Sequence, residues 1–137
     1  MAYWRFLDYC DENGVNLIRG WYVAQDVAVR VAFDYALRTL EETRDWTKPR
    51  FEMFKVLTGK HVGLCEIRFS VEENKKPKRR FRPVGIWRPD SRDFILLIGC
   101  EKKMRGGIYI PVSAFDLAMN YKAQYEQRRG TTCEHIF

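Results

Sequence analysis

Two arginines and a short set of proton-handling side chains are the residues best suited to chemistry in this chain. Arg68 and Arg82 each sit in a run of β-type residues, and a guanidinium offers a planar fork to two oxygens of a phosphate while staying charged at any relevant pH. Lys102 and Lys103 follow the apolar run Phe94 to Cys100, where side chains emerge from a rigid scaffold. His135 has an ordinary pKa of about 6.5 and could give or take a proton near neutrality. Together these types suit a crowded anionic centre with a proton to move. Each also has a structural reading. Glu66 stands two positions from Arg68 and could pair with it, Lys102 and Lys103 could be solvated, and His135 lies where chain ends tend to fray. His61 reads as a surface residue.

The elements that must position these residues lie between Leu64 and Met104. Leu64 to Val71 alternates Cys65, Ile67, Phe69 and Val71 with Glu66, Arg68 and Ser70, the period of a half-buried strand. Phe81 to Trp87 is a second β-type run, and Phe94 to Cys100 is an unbroken apolar run suited to a central strand. The segment between the first two strands carries Lys75, Lys76, Lys78, Arg79 and Arg80, a basic hairpin tip able to grip a nucleic-acid backbone or simply to be solvated. Trp87 and Phe81 flank it and could stack on bases, although strand aromatics usually face the core.

The rest of the chain supports that meander. Tyr3 to Cys10 reads as a strand, Asp11 to Gly14 as a turn, and Val15 to Arg19 as a returning strand. Val29, Phe33, Ala36, Leu37 and Leu40 form a helical stripe within Asp26 to Arg44, and the charges Asp26, Arg30, Asp34 and Arg38 read as its solvated face. Phe51 to Leu57 reads as a short helix closed by Gly59. Ile108 to Ile110 follows a Gly106-Gly107 turn. Ser113 and Asp116 then resemble a capping box for a last helix, striped by Ala114, Leu117, Ala118, Tyr121 and Tyr125 and closed by Gly130. The predicted architecture is α+β: a small, mostly antiparallel sheet, made of a three-strand meander plus an N-terminal strand, flanked by helices.

At 137 residues, 46% hydrophobic and 15% aromatic, the chain suits a single domain over 1–137 with a real core. A net charge of +6 and a pI near 9.3 favour an anionic partner. Cys10, Cys65, Cys100 and Cys133 show no paired spacing and are expected to be reduced. The cluster Cys133-Glu134-His135 lacks the second pair that a zinc site needs, so no metal or cofactor is expected. No apolar run approaches the roughly eighteen residues of a membrane span, and the N-terminal segment lacks a signal peptide's apolar core, so a cytoplasmic protein is expected.

The order of segments resembles a known family. Gly63-Leu64-Cys65-Glu66-Ile67-Arg68 follows a helical region, then come Phe81-Arg82-Pro83-Val84-Gly85-Ile86-Trp87 and Phe94-Ile95-Leu96-Leu97-Ile98-Gly99. Lys102-Lys103 and Ile110-Pro111 complete the set before the last helix. Roughly the second half of the chain resembles the RelE/HigB-like toxins in their phage-derived branch, with the N-terminal half fitting in outline. The resemblance implies a RelE-like sheet flanked by helices. It also implies an endoribonuclease that cuts messenger RNA, usually on the translating ribosome, and a cognate antitoxin protein that holds it inactive. It gives no reason to expect direct DNA binding. Cleavage without a metal would need a base for the 2′-hydroxyl, cations for the phosphate and an acid for the 5′-oxygen, for which Arg68, Arg82, Lys102, Lys103 and His135 are the candidates. A non-catalytic RNA- or protein-binding module on the same fold is the alternative. The insert Lys75 to Arg80 and the tail Thr131 to Phe137 depart from the family pattern.

Overall fold

Asn16 decides how the chain leaves its first strand. In the computed structural model, which describes residues 2–48, 50–72, 78–103 and 106–137, β1 (Arg5–Cys10) forms as the sequence predicts. The return strand expected at Val15 to Arg19 is instead helix α1 (Leu17–Val23). The side-chain oxygen of Asn16 accepts from Arg19 N at 2.9 Å, and this N-cap, with Ile18 and Tyr22 buried one turn apart, outweighs the local β preference. Helix α2 (Val27–Glu42) is capped by Asp26 and buries Val29, Phe33, Ala36, Leu37 and Leu40, the stripe its periodicity dictates. The short helix expected at Phe51 to Leu57 is strand β2 (Phe54–Val56), paired antiparallel with β3 (Cys65–Ile67). A window that short carries too little periodic signal to outweigh cross-strand pairing. Gly59, at φ +69°, opens a single 3-10 turn rather than closing a helix.

The meander differs most from expectation. Each of its three strands breaks near one level and continues in a different sheet. The first splits at Arg68 into β3 and β4 (Phe69–Val71). The second splits at Arg82 and Pro83 into β5 (Arg79–Phe81) and β6 (Val84–Arg88). The third splits at Gly99 and Cys100 into β7 (Asp93–Ile98) and β8 (Glu101–Lys102). With β9 (Tyr109–Ile110) and β10 (Thr131–Glu134), the strands form a six-stranded sheet in the order β10-β1-β7-β6-β3-β2 and a four-stranded sheet in the order β4-β5-β8-β9. The fold is α+β, but two sheets replace the single meander-plus-strand sheet. Only β1 and β7 pair in parallel among the described strands.

The corner has local causes. Pro83 has no N–H to extend a ladder, and the register slips between Val84 and Gly85. At Gly99 a Cβ would lie 2.0 Å from Trp21 Cδ2, so only glycine lets the chain pass beneath that ring. Backbone bonds still cross the break: Ile67 N donates to Pro83 O, Arg82 N to Cys100 O and Arg68 N to Met53 O, each at 2.8 Å.

Both faces of the large sheet are covered. Phe6, Phe94 and Leu96 meet Ile18, Phe33, Leu37 and Trp46 on the side of α1 and α2. Leu7, Ile95 and Leu97 meet Ala114 and Ala118 of α3 (Ala114–Glu126) on the other. The run from Phe94 is thus buried on both faces, as its composition implies. The expected capping box of α3 does not form: Ser113 makes no side-chain cap, and Asp116 instead meets His61 Nε2 at 3.3 Å. The helix ends at Glu126, before Gly130, and the tail expected to fray is β10, paired antiparallel with β1. Cys10, Cys65 and Cys100 are buried and Cys133 is exposed. Among the described residues no helix is long and apolar enough to cross a membrane.

Candidate functional site

Arg68 and Arg82 occupy the break between the two sheets. Arg68 Nε donates to Glu66 Oε1 at 2.9 Å, the ion pair that their spacing allows, and Glu66 is only 1% exposed. Arg82 is 9% exposed. It donates through Nη1 to Phe81 O at 2.8 Å, and its carbonyl accepts from Cys100 Sγ at 2.9 Å. Burial lowers the Arg82 pKa and the charge of Glu66 opposes that shift, so the guanidinium is a desolvated cation held beside a buried carboxylate. Arg80 Nε, Arg82 Nε and Glu66 Oε2 are buried without a hydrogen-bond partner among the described residues. Buried polar atoms are normally satisfied, so these three leave unmet hydrogen-bonding capacity at the break.

The register of the smaller sheet aligns further groups. Ser70 lies opposite Arg80, Arg80 opposite Lys102, and Lys102 opposite Tyr109. Directly opposed residues share a face, so these four form one polar row across the sheet. Phe69, Phe81 and Glu101 oppose one another on the other face, where Phe69 and Phe81 stack at 5.1 Å and Phe81 packs with Val29 of α2 and Val71. Lys102 Nζ lies 5.8 Å from the centre of the Tyr109 ring. Burial raises the Tyr109 pKa, Glu66 and Cys100 raise it further, and Arg82 and Arg68 oppose them, so the phenol keeps its proton. Burial likewise pushes the Cys100 thiol up to about 12.

A cleft of about 500 Å³ is lined by α2, residues 52–53, the break at Arg68 and Arg82, and the strands β4 and β5. Ala32 and Ala36, one turn apart, give it room on the helix side, and Tyr35 stands at its edge, 72% exposed. Met53 and Phe69 supply apolar wall. Arg68, Lys78, Arg80 and Arg82 supply four cations against the single carboxylate of Glu52. Such a surface favours an extended anion with an apolar or aromatic part.

Some predicted site residues meet here and others do not. Arg68, Arg82, Arg80 and Lys78 share the cleft, and Lys102 lies beside it in register with Arg80. Lys103 turns to Glu101, Nζ to Oε2 at 3.4 Å, on the face away from that row. Arg79 is a pin: it bonds Glu101 at 3.0 Å and Asp26 at 3.4 Å and covers the Phe81 ring. Trp87 packs on Phe54 and Trp4 at the main core, as strand aromatics usually do, away from the cleft lining. Lys75 and Lys76 lie outside the described residues. His135 is neither on a frayed tail nor in the cleft lining. It is 4% exposed, its Nδ1 meets Asp8 Oδ1 at 2.8 Å, and its ring lies edge-on to Phe33 and Tyr22. Pairing of β10 with β1 carries it there. Sequence reasoning passed over Tyr35, Glu52 and Met53. Tyr35 had a signal: with Val27 and Val31 it forms an apolar row at four-residue spacing on the exposed side of α2.

No family model matches the chain, and no curated protein or solved structure matches it significantly.

Proposed function

We propose that this cleft binds the sugar–phosphate backbone of single-stranded RNA, and that the chain is a RelE/HigB-like endoribonuclease acting on messenger RNA at the ribosome. Arg82 carries this reading. A buried guanidinium with an unpartnered Nε, at the wall of a cleft lined by three more cations, gains most from a phosphate that replaces its lost hydration. Tyr35 offers an exposed ring on which a base can stack beside that phosphate.

For cleavage, Glu66, which is paired with Arg68 and lies outside the cleft lining, must first be uncovered by Arg68; its Oε2 then accepts the 2′-hydroxyl proton as that oxygen attacks phosphorus. Arg68, Arg80 and Arg82 offset the charge that builds on the phosphate, and Tyr109, with Lys102 over its ring, returns a proton to the departing 5′-oxygen. The products are a 2′,3′-cyclic phosphate and a 5′-hydroxyl. His135 and Lys103 have no part in this scheme. The reading carries with it a cytoplasmic setting without a membrane or direct DNA partner, and a cognate antitoxin that covers the cleft. The test is cleavage of messenger RNA on programmed ribosomes by the wild type and by the Arg68→Ala, Arg82→Ala double variant. Cuts by the wild type alone support the enzyme.

A second reading is a module that holds RNA without cutting it. Two observations favour it: Glu66 is tied to Arg68, and no histidine lines the cleft among the described residues. RNA affinity without cleavage, on or off ribosomes, would establish that reading over the first.

A further inference from the structure

Away from the cleft, the first and last strands bring two thiols together. Cys10 Sγ and Cys133 Sγ lie 3.0 Å apart, although 123 positions separate them in the chain. In the β1–β10 pair Asp8 opposes Cys133 and Cys10 opposes Thr131, so the two cysteines are diagonal neighbours on one face of the ladder. Cys10 is buried and Cys133 is exposed. A disulfide bond is about 2.05 Å long, so closing the pair moves the sulfurs together by only about 1 Å. β10 is a four-residue strand at the sheet edge and can supply that movement.

We propose that Cys10 and Cys133 form a reversible disulfide clasp, made by exchange with a small disulfide such as oxidised glutathione, that fastens the C-terminal strand to the first. Exposure makes Cys133 the entry point. As the thiolate, its sulfur attacks one sulfur of glutathione disulfide; a mixed disulfide forms and one glutathione thiolate leaves and takes a proton. Cys10 then loses its proton, attacks the Cys133 sulfur and expels the second glutathione. Two protein thiols are oxidised, and one glutathione disulfide is reduced to two thiols. Burial, the hydrogen bond to Cys133 and the nearby carboxylates Asp8 and Asp11 push the Cys10 thiol up to about 12. It is therefore a poor first nucleophile, and the mixed disulfide on Cys133 removes one of the partners that hold its proton. The clasp also bears on the core, because His135 lies two residues beyond Cys133 and is seated on Asp8 and Phe33.

The experiment equilibrates the folded chain with oxidised glutathione and follows thiols, intact mass, peptide linkage and melting temperature. The expected product has lost two thiols and two hydrogens, yields a linked Cys10–Cys133 peptide, and melts higher by on the order of 10 °C, because the bond closes a loop of more than 100 residues. A thiol reductant reverses the shift, and Cys133→Ser or Cys10→Ser abolishes it. Buried Cys65 and Cys100 are internal controls. Retention of all four thiols, arrest at a glutathione adduct on Cys133, or an intermolecular link would each overturn the proposal. Because Cys133 is exposed, its serine variant is expected to fold and to report on the clasp alone.

Discussion

The salt dependence of RNA binding follows directly from the charges in the cleft. Arg68, Lys78, Arg80 and Arg82 line it. If each displaces one counterion from a single strand, the slope of log affinity against log salt is about −0.7 per contact, or about −2.8 for four. Raising the salt from about 50 to about 200 mM then weakens binding roughly 50-fold. Arg80→Ala removes one contact from the polar row and brings the slope to about −2.1, so the same change in salt costs roughly 18-fold. Arg82→Met keeps the volume of a side chain that is 9% exposed. It should flatten the slope similarly and lower affinity by about 10- to 150-fold, as expected for a charged hydrogen bond. Because Arg82 lies beside the buried carboxylate of Glu66, which keeps Arg68 as a partner, removing this one charge should also lower the melting temperature, and affinity is compared at a temperature where the variant is folded. Fluorescence anisotropy with a labelled, unstructured RNA across a salt series measures all three proteins. A shallow wild-type slope, or one that Arg80→Ala leaves unchanged, would show that these cations do not contact phosphate.

Three further outcomes are expected. Tyr35→Ala should weaken RNA binding by about 1–3 kcal/mol in the same anisotropy assay, with no change in melting temperature, because the ring is exposed and stacks on a base rather than on the core. Gly99→Ala should destabilise the fold by about 1–3 kcal/mol or more in urea, because the new methyl collides with Trp21 at the corner between the sheets. His135→Ala should also lower stability, by about 1–3 kcal/mol, since it leaves Asp8 Oδ1 unpaired, with only Oδ2 held by Asn16, and opens space against Phe33; RNA affinity at a temperature where the variant is folded should match the wild type.

Much of the scaffold was legible in the residues. The helical stripe of α2 and the doubly buried run from Phe94 follow from periodicity and composition, signals that span many residues. The misread segments were short or depended on distant pairing. Asn16 as a cap beat Val15 and Ile18 as β formers, and β2 exists because β3 lies beside it. The two-sheet corner was signalled by Pro83 and Gly99, yet its meaning rests on where Trp21 falls in space. Arg68 and Arg82 were identifiable because charged residues in β runs must face something. His135 misled for the opposite reason: its role depends on Asp8, which the chain brings near only by pairing its first strand with its last.

Photocrosslinking of an RNA carrying 4-thiouridine, with the attachment points mapped on the chain, shows where on this surface the RNA lies. RNA seated in the cleft gives crosslinks on the segments bearing Tyr35, Met53 and Phe69, lost when Arg68 and Arg82 are both replaced by alanine. Crosslinks confined to α3 or β10, or unchanged in that double variant, would place the RNA elsewhere and contradict that seating.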